Sequence, residues 1–309
     1  MTADKENPRF EDALAGDSKS GADGAAGLPV KIARYSEARR KALQMQSFAA
    51  QAGHVKEAKK LADCANYFVF RHYYTVDVVR LHGASFCKKH LLCPMCAIRR
   101  GAKMLQAYLQ RFEVVQAEAP HLKPYLVTLT VKNGDDLAER LRHLRAGMKA
   151  MFQARRDYHS NPKKRRFVEF ARSMGGFHSI EVTNKGQGWH PHVHMIWMCA
   201  SEPDQNALRE EWKHWTGDSF ICDVRPLHDP VEGFMEVCKY ALKFSDLDLP
   251  DNWHAYEVMH RQRLIDAHGL FRGVEIPESL LDEPLDDLPF VELFYRYVIG
   301  SGYHFSDHK

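Results

Sequence analysis

The sequence has no apolar run that approaches the roughly 18 consecutive residues of a membrane-spanning helix. Its first thirty residues also lack the apolar core of a secretory signal, so we expect a cytoplasmic protein with no membrane partner. Seven cysteines in such a chain argue against a disulfide framework, because disulfides belong to oxidising compartments. The cysteines therefore suggest reduced thiols or a metal site.

The formal net charge of +3 conceals a segregation of charge along the 309 residues. Residues 88–111 carry six Lys/Arg and no acid, whereas residues 274–309 carry eight acids and two bases. A further basic run consists of four consecutive residues, Lys163, Lys164, Arg165 and Arg166. Any one cluster could be a solvated helix face or loop. Together they predict a polyanionic partner, and DNA is the one we expect.

Composition divides the chain into four segments. Residues 1–28 are rich in Ala, Gly, Asp and Ser, which predicts a disordered tail. Residues 29–117 form a basic, helical and cysteine-rich segment. A catalytic domain is expected over residues 118–275, followed by an acidic C-terminal segment, residues 276–309.

Three segments alternate apolar and polar residues with period two and are predicted strands: LVTLTV (126–131), HSIEVT (178–183) and HPHVHMIWM (190–198). Helices are expected over residues 31–61 with a break near Gly53, 97–117, 135–157, 204–215 and 231–245. This order predicts an α+β fold in which helices cover one face of an antiparallel sheet.

Alternate histidines on the third strand are the sharpest chemical feature. His190, His192 and His194 share one strand face, and the loop TNKGQG (183–188) would pair them with Glu181 in a hairpin. Two imidazoles and a carboxylate suit Mg²⁺ or Mn²⁺ with phosphate completing the shell. A zinc hydrolase is the alternative, but the HxHxDH pattern is absent because Met195 follows.

A second chemical feature lies in the predicted helix over residues 231–245. Helical spacing puts Glu236, Tyr240 and Lys243 on one face. Packing of the tyrosine beside an exposed ion pair is the simpler interpretation. Beside a metal site, however, the phenolate could attack a phosphodiester, the lysine could stabilise charge and the carboxylate could act as a base.

Four cysteines form the third feature. Cys93 and Cys96 make a CxxC knuckle, Cys87 lies six residues earlier, and Cys64 a further 23 back. Four thiolates suit a structural, tetrahedral Zn²⁺. His90 could replace one of them, and the CxxC pair could instead be redox-active or buried.

Three of these segments resemble the ordered motifs of HUH endonucleases: LVTLT (126–130), HPHVH (190–194) and EVCKYALKFSD (236–246). More narrowly, they resemble the replication initiators of rolling-circle plasmids of the Rep_1 type. The stretches FCKKHLLCPMCAIRRGAK (86–103) and RQRLIDAHGLFRG (261–273) are also similar to segments of that family. The resemblance covers about residues 60–275.

The resemblance implies a role for each matching residue. His192 and His194 would bind the divalent metal, and Tyr240 would be the nucleophile. Glu236 matches a glutamate that stands where related enzymes have a second tyrosine, and Lys243 matches the motif's lysine. Glu181 would be the third ligand by analogy with other HUH enzymes, with His190 as its competitor.

The resemblance further implies a five-stranded antiparallel HUH palm, ferredoxin-like in origin, with the zinc-bearing segment on its N-terminal side. Its activity would be strand-specific nicking at a plasmid origin through a 5′-phosphotyrosyl link, with a host helicase and polymerase as further partners. A single-tyrosine HUH transposase is the nearest alternative. A non-catalytic, zinc-containing DNA-binding regulator is the alternative from another class.

Overall fold

A computed structural model describes residues 24–241, 243–285 and 287–308. These residues form seven α-helices and nine strands, and the strands build two antiparallel sheets. This is an α+β architecture, as predicted. The chain divides into two compact units. The first unit combines the described parts of Met1–Met104, Asp248–Asn252 and Ile276–Lys309, and the second combines those of Leu105–Leu247 and Trp253–Glu275.

In chain order the elements are α1 (Leu28–Gln51), α2 (Val55–Ala62), β1 (Tyr67–Tyr73), β2 (Val78–Ala84), α3 (Pro94–Glu118), β3 (Lys123–Thr130), α4 (Leu137–Ser160), β4 (Ser173–Asn184), β5 (Trp189–Cys199), α5 (Gln205–Thr216), β6 (Cys222–Pro226), α6 (Pro230–Cys238), α7 (Leu249–Met259), β7 (Ile265–Gly269), β8 (Val291–Val298) and β9 (Gly302–His308). Short 3-10 helices occupy Ala25–Gly27, Glu169–Arg172 and Lys243–Asp246.

Aspartates fix the starts of three helices in the second unit. Asp136 and Asp204 each accept hydrogen bonds from two backbone N–H groups in the first turns of α4 and α5. Asp229 caps α6 by accepting one hydrogen bond, from the backbone N–H of Val231, and Pro230 follows it at a position where no backbone donor is needed. The sequence itself thus specifies where these helices begin.

The sheet of the second unit has five strands in the order β6-β3-β5-β4-β7, every pair antiparallel. Its centre is the hairpin of β4 and β5, as predicted. One face carries the buried side chains of Val193, Met195 and Trp197, and the other carries the alternate histidines. The period-two pattern of the sequence therefore assigned these two faces correctly.

Helices pack on both faces of this sheet, which corrects the expectation that they cover one. Behind the histidines, the Nε1 of Trp212 in α5 donates to the backbone carbonyl of Thr130 at 2.7 Å. On the histidine side, Tyr108 of α3 stacks on Phe177 at 3.9 Å, and Phe234 of α6 meets the same ring edge-on. The face that carries the histidines is therefore partly covered by α3 and α6.

The sheet of the first unit has four strands in the order β2-β1-β8-β9. Phe68 and Phe70 of β1 point to its inner face and are buried. Tyr35 of α1 and Tyr303 of β9 lie against Phe68, with ring centroids 5.1 and 4.5 Å away. This sheet was not predicted, and it joins the acidic C-terminal segment to the N-terminal one.

Several expectations were only partly met. Residues 1–23 of the expected disordered tail lie outside the described residues, while Ala25–Gly27 and Leu28 are helical. The helix expected over residues 231–245 ends at Cys238. None of the described helices is long and apolar enough to cross a membrane.

Candidate functional site

The tight hairpin between β4 and β5 sets the geometry of the candidate metal centre. Gly186 and Gly188 in its loop take positive φ values of 77° and 84°, which residues with a Cβ rarely adopt. The resulting register places Glu181 directly opposite His192 and Ser179 directly opposite His194. Paired residues share a sheet face, so the carboxylate and both imidazoles point to the same side.

These three side chains converge. Oε2 of Glu181 lies 3.5 Å from Nε2 of His192 and 3.6 Å from Nε2 of His194. Their candidate ligand atoms all lie within 4.8 Å of one another, close enough to bind one ion. His190 lies outside this group, and its Nδ1 is 2.6 Å from Oδ1 of Asn133. The geometry thus favours Glu181 over His190 as the third ligand.

The environment of Glu181 fits a cation. Only 1% of this residue is exposed, and among the described residues neither carboxylate oxygen has a hydrogen-bond partner. Burial alone would raise the pKa of the carboxyl. The imidazoles of His192 and His194 and the Lys243 ammonium outweigh that effect and hold the pKa below its usual range. A buried, ionised carboxylate without a hydrogen bond is a donor that a metal ion would satisfy.

A neighbouring strand orients His194, a feature that sequence reasoning missed. Thr128 on β3 lies opposite His194 in register, and its Oγ1 is 3.0 Å from Nδ1 of the imidazole. Burial lowers the pKa of His194, which favours the neutral ring that a metal requires. His192 is placed by its own strand, since its Nδ1 lies 3.2 Å from the carbonyl oxygen of His190. Both histidines can therefore present Nε2 towards Glu181.

Helix α6 brings the second motif to the same centre. Oε1 of Glu236 lies 3.7 Å from Nε2 of His194, and its other oxygen is ion-paired with Lys239. Lys239 is only 8% exposed, so this pair is not the open surface pair that was the simpler alternative. Lys243 acts on Glu181 electrostatically from the following 3-10 helix. The motif containing Glu236 and Lys243 and the histidine strand thus form one site.

Tyr240 lies in the turn after α6 rather than on a continuous helix. The α-helix ends at Cys238, and Lys243 begins a separate 3-10 helix. The tyrosine is 5% exposed. Tyr240 is therefore almost fully covered, although it lies in a turn rather than in a helix.

The four predicted cysteines come together in the first unit. Cys64 Sγ lies 3.6 Å from Sγ of Cys93 and of Cys96, and Cys87 Sγ lies 3.6 Å from that of Cys96. These separations exclude disulfides, whose sulfurs are about 2.0 Å apart. A tetrahedral zinc with Zn–S bonds of about 2.3 Å would hold its sulfurs about 3.8 Å apart. The cluster therefore fits a Cys₄ metal site, and His90 lies outside it.

The basic segments have two different structural roles. Lys163, Lys164, Arg165 and Arg166 are all exposed in the loop after α4. In contrast, Arg99 of α3 is 1% exposed, and its Nη2 is paired with Asp282 at 2.5 Å. Part of the basic run 88–111 is thus neutralised by the acidic C-terminal segment and is not available to a polyanion.

Comparison with known proteins identifies the lineage of this fold and site. The family model of the Rep_1 replication proteins matches residues 78–292, more than two thirds of the chain. The chain belongs to the Rep_1 family. It is therefore a replication protein, as the resemblance implied, and the matched range contains both the histidine strand and most of the cysteine cluster.

Individual relatives of this Rep_1 chain carry the name Protein rep. One from Bacillus sp is 30% identical over 275 residues, covering 76% of this chain and 85% of the relative. One from Bacillus amyloliquefaciens is 29% identical and covers 77% of each chain. One from Streptococcus pneumoniae serotype 2 (strain D39 / NCTC 7466) is 27% identical, and the match spans 63% of this chain and 64% of that protein. No solved structure matches the chain.

Proposed function

We propose that this replication protein is a plasmid rolling-circle initiator that nicks one DNA strand at an origin and transfers it through a tyrosine. The observation that carries the proposal is the convergence of Glu181, His192 and His194 beside Glu236, which lies four residues before Tyr240 in the sequence. A five-stranded antiparallel sheet with these ligands at its centre is what we assign as an HUH palm. We place it in residues 118–275, with the zinc-bearing segment in 29–117 and an acidic segment in 276–309.

Glu181, His192 and His194 would hold the catalytic Mg²⁺ or Mn²⁺, leaving positions open for phosphate oxygens. When bound, the ion supplies orientation of the scissile phosphate and stabilisation of the charge that develops on it. The chain's own contribution is to keep the carboxylate ionised and to fix each imidazole through its Nδ1. His190 would not bind the ion, because its imidazole is hydrogen-bonded to the side chain of Asn133.

Tyr240 performs the covalent step in this proposal. Its phenolic oxygen attacks phosphorus, an O–P bond to tyrosine forms, and the bond from phosphorus to the 3′ oxygen breaks. The phenolic proton is lost to a base or water, and the departing oxygen gains one to become a free 3′-OH. The new 5′ end stays linked to Tyr240 through its phosphate. The free 3′-OH can prime synthesis by a host polymerase behind a host helicase.

Glu236 and Lys243 act around that nucleophile. Glu236 accepts a proton from the water that hydrolyses the phosphotyrosyl bond at the end of a round, so the protein is released. Lys243 stabilises negative charge at the phosphate. The exposed run of Lys163, Lys164, Arg165 and Arg166 binds the backbone of origin DNA. This activity belongs in the cytoplasm, where the plasmid is replicated.

The decisive experiment is a nicking assay on supercoiled plasmids carrying candidate origins, with Mn²⁺ or with chelator. We expect metal-dependent conversion to the nicked form and a covalent protein–DNA adduct mapped to Tyr240. Tyr240→Phe removes only the hydroxyl and should abolish both while DNA binding remains. An adduct that persists in this variant, or maps to Tyr295 or Tyr297, would contradict the assignment.

The same assay separates the alternatives. A non-catalytic zinc-containing regulator would bind the plasmid without nicking it. A single-tyrosine transposase would nick but would also join the ends of an element, which a replication initiator does not require. Membership of the replication protein family favours the initiator.

A further inference from the structure

The outer face of the four-stranded sheet carries a pair of stacked aromatic rings. Tyr67 of β1 and Phe294 of β8 lie with their ring centroids 5.8 Å apart and their planes 1° from parallel. Each residue is 39% exposed. In the register of the two strands Tyr67 faces Arg296 and Val69 faces Phe294, so the two rings are diagonal neighbours on one side of the sheet.

These rings do not belong to the core of the first unit. The core lies on the opposite face, where Phe68 and Phe70 are buried and Tyr35 of α1 covers Phe68. Strand residues alternate between faces, so Tyr67 and Phe294 point away from that core. Two exposed, mutually parallel rings on adjacent strands form a flat apolar platform, and every nucleobase can stack on such a surface.

Arginines slightly outnumber acids among the described strand residues on this side of the sheet. Arg296 is exposed and lies directly opposite Tyr67. Arg71 and Arg80 face each other further along the same side, and Arg71 is 3.0 Å from Glu292. Asp307, opposite Phe294, is the second acid that the described strands place on this side. Arg71 is paired with Glu292, whereas Arg296 lies beside Tyr67 and is the arginine placed to contact a phosphate backbone that follows stacked bases.

We propose that this face, defined by Tyr67, Phe294 and Arg296, is a second DNA-binding surface that holds single-stranded DNA by base stacking and one phosphate contact. The identification of the ligand as DNA rests on the proposed replication function. The surface belongs to the first unit, whereas the metal centre and Tyr240 belong to the second. It would hold unpaired strand without sequence preference and independently of metal and of nicking.

Binding of a fluorescein-labelled 15-nucleotide oligo(dT) to the full chain in EDTA, followed by anisotropy, tests the proposal. We expect Tyr67→Ala/Phe294→Ala to raise Kd at least tenfold, since stacking on each ring contributes strongly to such complexes. Tyr67→Phe keeps the ring and should stay within twofold of wild type. Arg296→Ala should also lower the slope of log Kd against log salt by roughly one phosphate contact.

Phe305 provides the matched control. It is 51% exposed on β9 but pairs with Tyr295 on the inner side of the same sheet. Phe305→Ala should therefore leave Kd within twofold of the wild-type value. Duplex DNA of the same length should compete poorly for the oligo(dT), because its bases are not free to stack.

Photocrosslinking of wild-type protein gives a readout that needs no variant. An oligonucleotide containing 5-bromodeoxyuridine should yield adducts on the peptide that contains Tyr67 or Phe294. Absence of such adducts, or a well-folded double variant that binds oligo(dT) like wild type, overturns the proposal. The proposal is also overturned if the wild-type protein is a dimer and the double variant is a monomer that binds oligo(dT) with unchanged Kd. The face would then bind a second copy of the chain.

The outcome is separable from that of the proposed function. If the wild-type protein does not nick but the double variant still loses oligo(dT) binding, the initiator assignment is refuted and the platform is not. If the wild-type protein nicks and the double variant binds oligo(dT) normally, only the platform is refuted.

Discussion

Thr128 Oγ1 and His194 Nδ1 lie 3.0 Å apart across the pairing of β3 with β5. A proton on Nδ1 would make the imidazole the donor in this contact and the hydroxyl the acceptor. Nε2 is then left with its lone pair facing Glu181, 3.6 Å away. The orientation and tautomer of a proposed metal ligand thus depend on a hydroxyl from the neighbouring strand.

Replacing Thr128 by valine, which has the same shape but no hydroxyl, should weaken metal-dependent activity. For Thr128→Val we expect metal-dependent nicking to fall about 10- to 100-fold, with more Mn²⁺ needed for half-maximal rate, because such outer contacts tune metal affinity by about that factor. Thr130→Val is the control, since Thr130 lies opposite His192 but its hydroxyl bonds the carbonyl of Ile221 at 3.4 Å. Equal metal dependence in the two variants would refute this role.

The choice of third ligand can be tested by comparing Glu181→Ala with His190→Ala. We expect His192→Ala, His194→Ala and Glu181→Ala each to lose divalent-metal-dependent cleavage, and His190→Ala to retain most of it. The reason is that His190 is directed to Asn133 while Glu181 meets both other histidines. Metal titration of nicking activity measures the difference. An inactive His190→Ala beside an active Glu181→Ala would reverse the assignment.

Glu236 should matter at termination rather than at initiation. We expect Glu236→Ala to nick at near wild-type rates but to accumulate covalent protein–DNA complex, because the variant keeps Tyr240 and the metal ligands but lacks the carboxylate proposed to activate water. Denaturing gels of timed reactions follow both species. Glu232→Ala, one turn earlier on α6, serves as the control. Normal release of DNA by Glu236→Ala, or outright loss of nicking, would remove the termination role.

The cysteine cluster should hold about one equivalent of zinc, separate from the catalytic ion. Cys93→Ser/Cys96→Ser removes two of the four sulfurs and should abolish zinc retention after dialysis against a weak chelator, as elemental analysis would show. It should also lower the thermal stability of the first unit. Cys199→Ser/Cys222→Ser is the matched control, because these buried thiols lie outside the cluster. Full retention of zinc by the first variant would rule out the site.

Two buried histidines should make the second unit sensitive to acid. Burial lowers the pKa of His178 to about 4 and that of His268 well below its usual value, although Asp266 partly opposes the effect at His178. Below pH 6.5 the unfolded chain binds protons on these rings and the folded chain does not, so stability falls as pH falls towards 4.

Urea unfolding at pH 7 and pH 5 measures this loss. For His178 we expect about 2 kcal/mol between the two values, which follows from a separation of about 1.5 pH units. A variant His178→Phe should show a smaller loss, whereas substitution of the exposed His121 by Gln should leave it unchanged. An identical pH dependence in wild type and His178→Phe would contradict the argument.

Local sequence patterns were sufficient to predict the hairpin that carries the candidate metal centre. Alternation fixed which residues of β4 and β5 share a face, and the glycine-containing loop fixed that the two strands pair. The contact of Thr128 with His194 was not predictable in the same way. It depends on the register of β3 against β5, residues that are 66 positions apart in sequence.

The position of Tyr240 and the second sheet show where local patterns fail. A helix and a helix followed by a 3-10 turn both keep residues three or four apart on one side, so spacing could not reveal the end of α6 at Cys238. Residues 276–309 were described only as an acidic segment, and no strand was predicted at β8. The buried pair of Arg99 and Asp282 shows that those acids balance cations within the first unit.

The pairing of β1 with β8 has a consequence for the order of events during protein synthesis. Arg71 and Glu292, which are hydrogen-bonded across these strands, are 221 residues apart. Most of the chain must therefore be synthesised after β1 before β8, its pairing strand, exists. The strands of the second unit all lie between residues 123 and 269 and emerge earlier. The second unit can therefore fold first, and the nascent chain exposes the apolar side of β1 until the last strands arrive. A chaperone would have its greatest effect during that period.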